Sequence, residues 1–472
     1  MIFADICGVL AGYSKNEIKK AGGNPLSPDF STPAGRTFLY SDVSHLAMAV
    51  ATMYEKAVSP VTVLADDTNT MYIGFDKCSH SYQSTSFFSC SFDDPRCFVS
   101  YTPKIMLIAD PEKLTVEIIC FSPDINGVFR SFREQKQHQT GSTQAGTGIL
   151  PDITGLEESI RLKISDLLKS TKAHLVPCYQ EFQRQVETIT GEIDDSRTNV
   201  KKAVLTREAV FNFSGESLDL KQLLMTRILE RLTCSQVESH FYGELSVTHE
   251  PTGKEQSAAE RQEAGELFLS YTPEKLFRIS GMHIKCDSLA GSISTEERQN
   301  LLKDNKNLKE NAIVENYLYD RLQRICSKVQ VSDPKLKDLS YISHILVELT
   351  GELKEECTLD GITDLLHPTP ATLGFPRSDA RDLLKRIGCH SHGRFASIGG
   401  IRHGKDALAL VLLRSADITA HTLKLYGGAG IMAESTPESE WNETALKMTA
   451  VLRQLTRDDS VTGEIFKGLV RR

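Results

Sequence analysis

Short apolar runs rich in β-branched and aromatic residues, separated by turn residues, dominate the chain as far as about Thr140. VTVLA, TMYIGF, STSFFSCSF, KIMLIAD and LTVEIICFS therefore read as strands. The polar, turn-rich stretch QKQHQTGSTQAGTGILPDITG reads as a loop leading out of this region. The period then changes. Leu156, Ile160, Ile164, Leu167 and Leu168 recur at offsets of three and four, which predicts a helix from about Leu156 to Lys172, limited or kinked by Pro177.

From Lys201 both periods occur. KKAVLTREAVF, SHFYGEL and GELFLSYT are strand-like, SLDLKQLLMTRILERL is an amphipathic helix, and EKLFRISGMHIKCDSL is a hairpin turning near Ser280 and Gly281. HEPTGKEQSAAERQEA, almost without apolar residues, reads as an insertion. Helical segments are expected at about 295–328 and around 360–366. Strands RFASIGGI, DALALVLLRSA and HTLKLYGG then run through a glycine turn into a last helix. Strands and helices mix without regular βαβ alternation, which predicts an α+β fold with antiparallel sheets. Residues 1–150 form a strand-rich region packing on a catalytic region at 151–472.

Composition narrows the class. A chain of 472 residues with 40% hydrophobic content can bury a large core. No apolar run approaches the roughly 18 to 20 residues of a membrane helix, and the start lacks a basic segment ahead of an apolar one, so a cytoplasmic location without membrane contact is expected. The 11 cysteines are scattered without a CxxC pair, as reduced thiols would be. A net charge of −8 with no basic stripe offers no footprint for nucleic acid.

Several stretches carry candidate chemistry. Lys202, Val204 and Thr206 share one side of a strand. The lysine is either an edge-strand charge or a desolvated amine suited to base work. Glu440, Glu443 and Lys447 share a helix face behind YGGAGI, as a solvated ion pair or as a cation site approached by glycine backbone. Magnesium would need a further carboxylate, and Glu310 lies on a second acidic helix. In LLHPTPATLGFP, two prolines enforce a rigid loop displaying His367 and Ala371. CHSHG (Cys389, His390, His392) is too crowded for zinc and has no partner pair.

KAVLTR, TPEKLF, SLAGS, the Glu310 helix, SHILVELTG, LLHPTPATLGFP, HGRFASIGG, the Arg414 strand and YGGAGIMAESTPESEWNETALK occur in this order over about Lys201 to Leu455. Together they resemble the chorismate-utilising enzymes, and most closely the isochorismate synthases. The resemblance implies a large αβ sandwich that binds chorismate, with Mg2+ between Glu310 and Glu443. It implies Lys202 as base for the attacking water and Glu274 as acid for the departing hydroxyl, their pKa values shifted down and up by burial. His344, Ala371, Phe395, Arg414, Gly428, Gly430 and Lys447 would bind substrate, the glycine turn receiving a carboxylate. Ammonia-using relatives tend to carry glutamine at the position of Lys202, so no amidotransferase subunit is expected. The product would feed menaquinone or siderophore synthesis. A salicylate synthase, or a chorismate-binding protein without catalysis, is the alternative. Departures from the family pattern are Asn307 and Asn311 in place of an acid and a histidine, His392 for arginine, Gly427 for alanine, Ser292 for threonine and Val347 for a hydroxyl residue.

Overall fold

The computed structural model describes residues 153–471 apart from 216, 234–238, 249–263, 340–341, 355–356 and 390–392. Before them it describes 14–21, 34–40, 46–47, 50–51, 54, 61–66, 70–77, 85–92, 98–101 and 103–120. The strands in the first part are β1 (Ser14–Ala21), β2 (Ala34–Tyr40), β3 (Val61–Ala65), β4 (Met71–Lys77), β5 (Thr85–Cys90), β6 (Phe98–Tyr101), β7 (Pro103–Asp110) and β8 (Thr115–Cys120).

Next come α1 (Ile153–Lys169), β9 (His174–Val176), α2 (Tyr179–Asp194), β10 (Lys202–Asn212), α3 (Leu220–Thr233), β11 (His240–Thr248), β12 (Ala264–Thr272), β13 (Lys275–Ser280) and β14 (His283–Ser294). A 3-10 turn (Thr295–Lys303) leads to α4 (Asn305–Ile325), β15 (Cys326–Val331), β16 (Lys335–Leu339), β17 (Ile342–Leu353), α5 (Leu359–Leu366), β18 (Gly374–Phe375) and α6 (Arg377–Arg386). The chain ends with β19 (Ile398–His403), β20 (Asp406–Val411), β21 (Ser415–Ile418), β22 (Thr422–Ile431), α7 (Pro437–Thr456) and α8 (Asp459–Val470).

Among the described residues these strands build two antiparallel sheets, so the α+β expectation holds. One runs β1-β2-β8-β7-β4-β3-β11-β12-β21-β22-β10-β18, with β9 also on β10; the other runs β15-β17-β14-β13-β20-β19-β5-β6, with β16 on β17. Strands from before residue 121 extend both sheets, through β3 on β11 and β5 on β19. Leu64, Phe87, Met106, Tyr242, Phe268, Ile401, Leu408 and Leu410 interdigitate between the sheets. The outer faces are covered by helices: α1, α3, α7 and α8 on the first sheet and α4 and α5 on the second. This is a sandwich with a helical layer on each side, because each sheet is apolar on both faces.

Helices α2, α6 and α8 add to the elements expected from the pattern. In α2 the apolar face is thin, Phe182, Val186 and Ile189 among glutamates and glutamines, and it gains its weight only by packing with Ala203, Leu205 and Trp441. The glycines of YGGAGI form no turn. They lie inside β22, hydrogen-bonded to β10 from Ala203↔Ile431 to Asn212↔Thr422, and the turn comes later, closed by Ser435 N on Met432 O. Glycine is required there for proximity: a Cβ on Gly427 would stand 2.6 Å from Thr444 O of α7. His390 and His392, together with most of the polar insertion and the early loop, fall outside the described residues.

Helix α7 is anchored by Arg207, which emerges from β10 on the side opposite Lys202. Its guanidinium donates to Thr444 Oγ1 (2.6 Å), Trp441 O (2.9 Å) and Leu469 O (3.1 Å), and it stacks 3.5 Å from the Trp441 ring centroid. Replacing it (Arg207→Ala) takes the side-chain donor from Leu469 O, removes one of two from Trp441 O and empties the stack. Urea unfolding should show a loss of about 3 kcal/mol or more.

Candidate active site

The two sheets diverge where β10 and β22 face β14 and β17. Between them lies a cavity of about 690 Å³, counted with its open mouth. Glu274, Glu310, His344, Ala371, Phe395, Arg414, Gly428, Gly430 and Lys447 all line it. Lys202 and Glu443 stand one layer behind, each ion-paired to a lining side chain. All eleven residues singled out from the sequence thus gather at one place.

Lys202 is no edge charge. At its position β10 is flanked by β18 and β22, and the side chain is completely buried. Its Nζ sits 2.8 Å from Glu310 Oε1, across the backbone of Gly430. A Cβ on Gly430 would lie 2.5 Å from that carboxylate oxygen and 2.6 Å from Lys202 Cε, so the pair exists only because this residue has no side chain.

Glu274 occupies the kink at which the chain leaves β12 in the first sheet for β13 in the second. Its N donates to Thr272 Oγ1 (3.2 Å) and its O accepts from Val411 N (3.1 Å), which fixes the turn. Burial pushes its carboxyl up to about 8, against the opposing pull of the Lys202 charge and with help from Asp287. Near neutrality it therefore holds a proton.

Arg414 and Ala396 both line the cavity with φ near +49° and +59°, a conformation side chains other than glycine seldom adopt. Arg414 Nη2 lies 3.0 Å from His344 Nε2, and His344 Nδ1 lies 3.0 Å from Ser292 Oγ. A guanidinium only donates, so Nε2 accepts and Nδ1 carries the proton. Burial, then the Arg414 charge, holds this imidazole well below its usual pKa and keeps it neutral.

Phe395 stacks at 5.4 Å and 13° on Tyr426, a lining residue that the sequence reading left unassigned; its hydroxyl donates to Asp417. Ala371 lies at the cavity, but His367, expected beside it on display, is fully buried and absent from the lining. The loop turns there, with Ala371 N on Thr369 Oγ1, and aims only its later residues inward.

Three carboxylates, Glu310 of α4 and Glu440 and Glu443 of α7, surround Lys306. Lys447 bridges Glu443 Oε1 (2.6 Å) and Gly428 O (2.9 Å), and Lys306 donates to Glu440 Oε1 (2.7 Å). Burial lowers the tendency of Lys306 to carry charge, yet Glu440, Glu443 and Glu310 together raise its pKa. Glu440 is fully buried and pushed up to about 7 by burial and by Glu443, and its Oε2 has no hydrogen-bond partner. Burial acts the same way on Glu443, but the Lys447 ammonium outweighs it and leaves that carboxyl lowered. No group of three or more His, Cys, Asp or Glu ligands forms a ready metal cage among the described residues. Magnesium needs no such cage, since one or two carboxylates suffice beside water and substrate oxygens. The orphaned Glu440 oxygen beside two further glutamates fits a divalent ion.

Asn311 donates to strand carbonyls, and Asn307 accepts from Ser292 N and donates to Asp304. Both amides serve the scaffold.

The description "chorismate binding enzyme" matches residues 149–456. The chain belongs to the chorismate-binding enzyme family. Isochorismate synthase MenF of Bacillus subtilis is 29% identical over 285 residues, covering 58% of this chain and 55% of the relative. Salicylate biosynthesis isochorismate synthase of Pseudomonas aeruginosa is 30% identical over 199 residues, 40% of this chain and 42% of the relative. The chain thus spans about half the length of the curated relatives it matches. The solved menaquinone-specific isochorismate synthase MenF of Escherichia coli has the same fold, with a TM-score of 0.64 at 19% identity, over 97% of this chain and 100% of that one.

Two tests follow from the geometry of this chorismate-binding enzyme. Gly430→Ala should raise KM or abolish turnover while the protein stays folded by circular dichroism, since the new methyl collides with Glu310 and Lys202. Glu274 keeps its proton in the folded state to about pH 8, whereas unfolded it ionises near 4.5, so its burial costs stability that grows between those values, by at most about 1.4 kcal/mol per pH unit. Glu274→Gln should melt higher than the parent at pH 8, with the gain fading toward pH 5.

Proposed function

We propose that the chain is an isochorismate synthase, converting chorismate to isochorismate. One observation supports this reading: a buried, protonated carboxylic acid, Glu274, lines a cavity that also presents Arg414, and a buried lysine, Lys202, stands directly behind the wall within electrostatic reach of it. Addition of water with loss of a hydroxyl calls for such a base and such an acid. The relatives' names support the same assignment.

In this mechanism Arg414, oriented by neutral His344, binds a substrate carboxylate through two parallel N–H donors. Phe395, braced by Tyr426, packs on the ring, and Ala371 offers no competing hydroxyl. Lys202 takes a proton from water as its oxygen bonds to C2; the ring double bonds shift, and the C4–O bond breaks as Glu274 gives its proton to the departing hydroxyl. One water enters and one leaves, so the net change is an isomerisation. Glu310 and Glu443, with Glu440 beside them, would hold Mg2+, which when bound offsets carboxylate charge and favours an anionic substrate. Lys202 stands where ammonia-using relatives carry glutamine, so no amidotransferase subunit is invoked. The reaction is assigned to the cytoplasm; no described helix is long and apolar enough to cross a membrane.

Incubation with chorismate and Mg2+ should yield isochorismate by chromatography without release of pyruvate. Lys202→Ala should lower kcat by about 100-fold or more. Pyruvate release would indicate a salicylate synthase, and thermal stabilisation by chorismate without product would indicate a binding protein. Turnover should decline above about pH 8, where Glu274 loses the proton it must deliver; a flat profile through pH 9 would remove Glu274 from this role.

A further inference from the structure

The ladder between β14 and β17 pairs Ala290 with Ile345 and then Ser292 with His344, leaving Gly291 as an unpaired bulge at φ +75°. Helix α4 presses on this bulge so closely that a Cβ on Gly291 would stand 2.9 Å from Asn307 O. Two side chains of α4 grip it. Asn307 Oδ1 accepts from Ser292 N (3.0 Å), while Asn307 Nδ2 donates to Asp304 Oδ1 (2.9 Å), the oxygen that also caps α4 by accepting from Asn307 N (2.8 Å).

One turn on, Asn311 is 3% exposed and directs its amide nitrogen at Ile345 O (3.0 Å), Ala290 O (3.2 Å) and Ser288 O (3.4 Å). It therefore ties both strands together beside the bulge. Only a neutral amide does this well. A carboxylate at position 311 would face three carbonyl oxygens, and an apolar side chain would leave them buried and unpaired.

The gripped segment is the one that carries the orientation of Arg414. Ser292 Oγ takes the proton on His344 Nδ1, and His344 Nε2 takes an N–H from Arg414. We propose that Asn307 and Asn311 are positioning residues for substrate binding: by locking the bulge they fix Ser292 and His344, and through them the Arg414 guanidinium. This rests on chorismate being the ligand of the cavity.

The test is a charge swap. Asn307→Asp sets a carboxylate against Asp304 at hydrogen-bond distance, whereas the double variant Asp304→Asn, Asn307→Asp restores one donor and one acceptor with roles exchanged, and asparagine still caps the helix. KM, kcat and the calorimetric Kd for chorismate are measured for the parent, both single variants, the double variant and Asn311→Ser. The expected result is a KM and Kd raised about tenfold, with kcat within about threefold, in Asn307→Asp and Asn311→Ser, and return to within about twofold of the parent in the double variant. Should Asn307→Asp fail to fold, the double variant and Asn311→Ser decide the matter. Unchanged KM and Kd in the folded single variants, or a double variant no better than Asn307→Asp, overturns the proposal.

A parent that neither binds nor converts chorismate refutes the proposed function instead. The positioning claim is then read from 15N spectra of the His344 ring: a parent fixed as the Nδ1–H tautomer and a mixture in Asn311→Ser uphold the grip on His344, and identical spectra sink it.

Discussion

The contact between Lys202 and Glu310 across the bare backbone of Gly430 ties together everything else in this site. A fully buried lysine side chain is tolerable only beside a polar partner, and this partner, a carboxylate, arrives from a helix packed on the opposite sheet. The pair therefore measures the distance between the two halves of the sandwich. If β22 carried a side chain at 430, the halves would separate, and neither lysine nor glutamate would keep a partner.

Around that contact the protein alternates charge with care. Lys202, Lys306 and Lys447 are each matched to a carboxylate, Glu310, Glu440 and Glu443. The second oxygen of Glu440 has no hydrogen-bond partner, Glu443 raises the Glu440 carboxyl, and Glu443 itself is held down against burial by Lys447 first and then by Lys306 and Lys202. Glu274 belongs to a different regime. Among the described residues it has no ion pair, and it keeps its proton because burial outweighs the pull of Lys202.

The amides at 307 and 311 illustrate how position gives a residue its meaning. Read from the sequence, they are departures from the pattern that the resemblance implies. In the folded chain they face the strand carbonyls and the helix cap, so the carboxylate cluster is unaffected by their neutrality.

The sequence alone determined the fold class, the strand identities of β10 to β14, β19, β20 and β22, and, by resemblance, all eleven residues now found around the cavity, but it ran β20 and β21 together as one strand where the chain changes sheet at Arg414. These were legible because apolar period and motif order are local properties of the chain. Helices α2 and α6, whose apolar faces are thin, were not, because their stability comes from packing partners hundreds of residues away. The glycine run was misread as a turn for a related reason: its glycines answer to Thr444 on the next helix and to Glu310 and Lys202, both distant in sequence. Whether Lys202 was an edge charge or a buried amine, whether His367 faced the cavity, and what Asn311 touched were decided only by tertiary structure. Desolvation and charge pairing are set by what lies across space, and no stretch of sequence carries that information within itself.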